Sequence, residues 1–197
     1  MSDDYAVLTH IPLHNGMSCR TPDGLTPLVH ASDPAISVMT DFRKVTPITI
    51  EPGLSIDTAI RKMKAVGVRL LLVPDRDDNI IGIISASDIQ GERAFKLSHD
   101  TGLTRAQIRV EMLMVPLAEV MAMDMITVND ARVGHIINSL RKLERHHTLV
   151  VEEDPDTGKQ VIRGLFSITH ISKLLGHDVS DAEYAAHSLA EVQHELG

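Results

Sequence analysis

Gly82-Ile83-Ile84-Ser85-Ala86-Ser87-Asp88 is answered later in the chain by Gly164-Leu165-Phe166-Ser167-Ile168-Thr169-His170. Each stretch opens with glycine, crosses two apolar residues and reaches a serine, with a polar side chain three positions further on. The apolar pair reads as a buried strand, and Asp88 falls where the following helix would begin. One such string is weak evidence. Two in one chain suggest a duplicated unit.

The neighbouring sequence repeats in the same order. Upstream, Ile48-Thr49-Ile50 returns as Ile126-Thr127-Val128. The apolar set Ile56, Ala59, Ile60 and Met63 has the spacing of a one-sided helix, and Val133, Ile136, Ile137 and Leu140 repeat it. Leu70-Leu71-Leu72-Val73 and Thr148-Leu149-Val150-Val151 follow as strands. A polar turn comes next, from Asp75 to Asn79 in one copy and over the longer span from Glu152 to Gln160 in the other. Turns tolerate such insertions. Each copy therefore reads strand, helix, strand, turn, strand, helix. One copy alone is small for an independent core, so the expectation is a pseudo-symmetric α/β pair whose sheets meet face to face.

The expected divisions are an irregular arm over 1–35, a first repeat with its connecting helix over 36–109, a second repeat over 110–176 and an amphipathic helix over 177–197. Pro12, Gly16, Pro22, Gly24, Pro27 and Pro34 punctuate the arm. Thr104 and Gln107 have capping-box spacing for a helix start between the repeats, as do Ser180 and Glu183 near the end. The terminal helix would carry Ala185, Leu189, Val192 and Leu196 on one stripe.

Composition excludes several classes. The 197 residues include 19 basic and 27 acidic side chains, a net charge of -8, which argues against a general nucleic-acid binder. Cys19 is the only cysteine, so neither an intramolecular disulfide nor a thiolate cluster can form. No apolar run has the length of a membrane span. The opening MSDDYAVLTH places acids where a secretory signal would be basic, and the cytoplasm is the expected compartment. There is no P-loop, no Gly-rich dinucleotide motif and no clear nucleophile–base pair, so an enzyme is not expected. His146-His147 and the His10/His14 pair invite a metal reading, but Pro12 breaks the helical spacing of the second pair, and no metal site is expected. His147 is expected to begin a buried strand.

The duplicated order and the Gly-apolar-apolar-Ser-x-x-Asp string resemble a pair of cystathionine-β-synthase (CBS) domains. The resemblance covers roughly Ile36 to Gly176, with Val38-Met39-Thr40 similar to the family's lead-in. It implies a tandem α/β module with a nucleotide-sized cleft between repeats, pairing into a disc-like homodimer. It further implies non-catalytic regulation by an adenosine nucleotide, with AMP the leading candidate and ADP or ATP as alternatives, no obligatory cofactor, and a regulated protein as a further partner. The competing readings are an oligomerisation module without a ligand and a sensor of S-adenosyl compounds. Carried onto this chain, one site would use Ser85 and Asp88 with Met125, Ile126 and Thr127. The other would use Ser167 and His170 with Thr46, Pro47 and Ile48.

Chemistry supports those residue types. An ionised Asp88 accepts hydrogen bonds from two ribose hydroxyls, Ser85 donates to an oxygen, and adenine slides between apolar walls such as Ile48 or Ile126. His170 stands where the first copy has Asp88, so the second site is expected to be weaker, empty or selective for another ligand. Asp88 has a plainer reading as a helix cap, and Ser85 as a strand serine bonded to backbone. Met112, Met114, Met121 and Met123 are expected in the core between repeats, and Arg61, Lys62 and Lys64 on a solvated helix face. Arg43, Lys44, Arg69 and Arg163 are the candidate phosphate contacts.

Overall fold

The structure, a computed structural model, describes residues 29–180 together with positions 8, 10–12 and 17. The expected terminal stripe from Ala185 to Leu196 lies outside the described residues, as does most of the expected arm.

In the first half, α1 (Ile56–Val66) starts where the Ser55 hydroxyl accepts from the Thr58 N–H at 3.2 Å, and it stops at Gly67, whose φ of 72° few other residues adopt readily. Its buried face is Ile56, Ala59 and Met63. Strands β2 (Leu70–Pro74) and β3 (Ile80–Ser85) form an antiparallel hairpin, followed by α2 (Ala86–Gln90) and α3 (Glu92–Thr101). After α4 (Val110–Leu113), β4 (Val115–Pro116) adds to the outer edge of β3.

The second half repeats the plan. Helix α6 (Val133–Lys142) buries Val133, Ile136, Ile137 and Leu140. Strands β6 (His147–Glu153) and β7 (Gln160–Ser167) pair antiparallel, and α7 (Ile168–Leu175) follows. The short β1 (Thr40–Asp41) adds to the edge of β7 and β5 (Ala122–Asp124) to the edge of β6, giving the sheet order β1-β7-β6-β5.

Strand alternation decides what each side chain packs against. On β2, Leu71 and Val73 face the first half's helices, whereas Leu70 and Leu72 face Leu149 of the other sheet. Val150, next to Leu149 on β6, turns instead into the second half's helical core. The two sheets meet through that leucine layer.

The lead-ins are exchanged between halves. Ala35, Val38 and Met39 precede the first repeat in sequence but sit in the second half's core. Ile108, Val110 and Leu113 precede the second repeat but complete the first half's core. The signature glycines make this possible. A Cβ at Gly82 would stand 2.7 Å from the Val115 carbonyl oxygen, and one at Gly164 2.5 Å from that of Thr40, so only glycine lets the exchanged strand approach.

Three sequence expectations need correction. Ile126-Thr127-Val128 is helical, not a strand. Strand β5 (Ala122–Asp124) runs parallel to β6 just before it, and Asp124 then caps α5 (Met125–Asp130) by accepting from the Ile126 N–H at 2.8 Å. Met125 and Val128 are buried while Ile126 is 76% exposed, which is helical spacing. In the first copy Pro52 and Gly53 follow Ile50 and oppose a helix there. Ile48 to Ile50 therefore stays extended along β2, with Ile50 N–H donating to Leu72 O at 2.9 Å and Leu72 N–H to Ile48 O at 3.0 Å.

Thr104 and Gln107 close a turn instead of opening a helix, the Gln107 side-chain oxygen accepting from the Thr104 N–H at 2.9 Å. The methionines divide. Met114 and Met123 pack partly buried against the cores, but Met112 and Met121 are exposed.

Candidate functional site

A cavity of about 320 Å³ opens between the halves, floored by the exchange of lead-ins. Thr46, Pro47 and Ile48 line one side, where they enter the parallel pairing with β2. Ser167 and His170 line the other, at the junction of β7 and α7. The structure thus brings those five residues to one cavity. Phe42, Val45 and Leu165 extend its apolar wall, and Arg69 and Lys173 supply positive charge. Among the described residues, none that lines it is a carboxylate.

The wall carrying Thr40 and Phe42 is held by a buried ion pair. Arg163 makes a two-pronged contact with Asp41, and both side chains are under a tenth exposed. Glu152 lies 3.2 Å from the Arg163 Nε and 2.6 Å from Arg43. Donation from Arg163 holds the Asp41 carboxyl below its ordinary range, against the opposing effect of burial. Arg43 and Arg163 are thereby engaged with carboxylates. Of the basic residues expected to contact phosphate, Arg69 is the one that faces the cavity.

Two imidazoles line the same cavity. Burial, reinforced by positive charge at His146 and Arg69, pushes His147 from its ordinary 6.5 down to about 4, so it is neutral near pH 7. Partial burial, with Lys173 adding to it, also lowers His170. A neutral His170 has one acceptor and one donor nitrogen.

The other expected set is not assembled in this way. Asp88 accepts from the Ser85 N–H at 2.9 Å and the Ser85 hydroxyl at 2.6 Å, closing a capping box on α2, and it pairs with Arg93 at 2.8 Å. Met125 lies in the second half's core, and Ile126 and Thr127 sit on the exposed face of α5. The hollow related by pseudo-symmetry holds only about 80 Å³ and is lined by residues such as Val120, Met121 and Leu143, without Ser85 or Asp88.

Lys173 was not singled out from the sequence. Its signal was available, since it lies three residues after His170 and so on the same face of a helix. Phe42 carried no such signal, because its place depends on β1 joining the opposite half.

Residues 35–93 match the family model of the CBS domain. That segment is a CBS domain. The matched CBS segment runs from the exchanged lead-in through α2, and the second half repeats its architecture. An uncharacterized conserved protein from Pyrococcus horikoshii is similar in structure, with 23% identity over 74% of this chain and 93% of its own, at a TM-score of 0.52. A CBS-domain protein from Agrobacterium tumefaciens has 20% identity over 65% and 83%, at a TM-score of 0.48. CBSX2, solved in complex with AMP, has 19% identity over 72% and 94%, at 0.47. At 23% identity the first of these likenesses is one of fold. No curated protein sequence matches the chain.

Proposed function

We propose that this CBS pair is a non-catalytic regulatory module that binds an adenosine nucleotide in the cavity between Thr46-Pro47-Ile48 and Ser167/His170. The observation that carries the reading is the pairing of apolar walls with Arg69 and Lys173, with no carboxylate among the described lining residues. A base prefers the first environment and a phosphate the second. Arg69 and Lys173 disfavour the sulfonium cation of an S-adenosyl compound by like-charge repulsion, so a phosphorylated ligand fits better.

The walls come from both halves, so a bound ligand bears on their relative placement. Occupancy then acts on a partner by favouring one arrangement over another, which requires unequal affinity for the two. In the first half the signature carboxylate serves as a helix cap, and that half reads as structural. The Ser167/His170 site is accordingly the stronger candidate, although His170 replaces the usual aspartate.

Thermal unfolding with AMP, ADP, ATP and S-adenosylmethionine tests the reading. A nucleotide at about 100 times its Kd adds about 2.7 kcal/mol of stability. Lys173→Ala should reduce that gain in a protein that still folds. Absence of stabilisation by every nucleotide at millimolar concentration would sink the proposal.

A further inference from the structure

The cavity does not end at Arg69 and Lys173. Beyond them lies a more open groove of about 540 Å³ that shares Arg69, Thr169 and Lys173 with the cavity. The groove adds His146, His177, Ser180 and Ser172, whose hydroxyl donates to the Ile168 carbonyl at 2.9 Å. An imidazole can donate an N–H to a phosphate oxygen in either protonation state. One carboxylate, Asp178, also lines the groove, and it accepts from the Ser180 N–H at 2.9 Å and the Ser180 hydroxyl at 2.7 Å.

A nucleotide whose base fills the apolar part of the cavity would meet Arg69 and Lys173 with its first phosphate. A monophosphate would leave the groove unused. We infer that the ligand is a nucleoside di- or triphosphate, its terminal phosphate seated in the groove against His146 and His177. The inference rests on the cavity being the nucleotide site and adds the ligand's phosphate number. Arg69 and Lys173 stand at the junction, where they serve the bridging phosphate of the chain. Asp178 opposes the terminal charge and sets a limit on affinity.

Calorimetry with AMP, ADP and ATP, at fixed ionic strength and without divalent cations, tests this on the full chain and on His146→Ala/His177→Ala. ATP should bind the parent about tenfold or more tightly than AMP, and the double variant should lose about tenfold for ATP while AMP changes less than about twofold. Asp178→Asn should tighten ATP several-fold and leave AMP unchanged, which provides a check if the double variant fails to fold. AMP binding as tightly as ATP would overturn the inference and leave the cavity assignment standing. Equal weakening of both ligands by the double variant would also overturn it. Binding of none of the three would remove both readings together.

Discussion

Asp88 and His170 occupy matched positions, but their neighbours differ. Both oxygens of Asp88 are engaged, Oδ2 with Ser85 and Oδ1 with Arg93. His170 stands at a cavity wall beside Lys173. The string Ser-x-x-Asp made Asp88 the natural ligand residue, because a carboxylate suits ribose hydroxyls. The same chemistry suits backbone and hydroxyl donors one turn away, and those are always within reach. Asp88→Ala is therefore expected to lower stability by about 1–2 kcal/mol, the usual cost of a lost cap, while nucleotide affinity stays within about twofold. Denaturant unfolding and calorimetry on one preparation separate the effects. A stable variant with strongly weakened nucleotide binding would return Asp88 to the binding site.

At the scale of elements, the decisive feature is the edge strand contributed by the wrong repeat. Gly164 is where β1 crosses β7, in register with Asp41, and its backbone lies against the Thr40 carbonyl. The obstacle to a side chain is backbone, which cannot rotate aside. Gly164→Ala should cost about 1–3 kcal/mol through overpacking. Because β1 also carries the Thr40–Phe42 wall, the variant should bind nucleotide less well even where it remains folded. Gly164→Ala with unchanged affinity and stability would show that β1 is not held against β7 in solution. The Asp41–Arg163 pair fastens the same crossing from its other side, and neither partner's role was legible from spacing alone.

Over the whole molecule, His147 links the site to folding. It begins β6, lines the cavity and is neutral in the folded state down to about pH 4. In the unfolded chain it takes up a proton near its ordinary 6.5. Stability is therefore full above pH 6.5 and falls as the pH drops from there toward 4, because only the unfolded state gains the proton. The loss should be on the order of 2–3 kcal/mol from His147, with His170 contributing in the same direction. The Asp41 carboxylate is affected only at lower pH, since its own range is depressed. Urea unfolding at pH 7.5, 6 and 5 should show this slope, and His147→Leu should flatten most of it. A parent protein equally stable at all three values would rule out the buried neutral imidazole.

Much of the architecture was written locally. The one-sided helices, the leucine and valine strands and the repeated glycine–serine string follow from periods of 3.6 and 2, which any stretch of sequence displays by itself. The duplication then implied two halves packed by their sheets, and Ile48-Thr49-Ile50 was read as extended from its short apolar run, while its parallel pairing with β2 came only from the structure. The counterpart at Ile126 was misread because Asp124 caps a helix there, and a three-residue apolar run looks the same in either state. Tertiary structure alone decided which half receives each lead-in, which of the two signature serines lines the larger cavity, and which arginines are consumed by carboxylates far away in sequence. Those outcomes depend on through-space approach, where a distant Asp41 or Thr40 competes for the same groups, and local spacing carries no record of that competition.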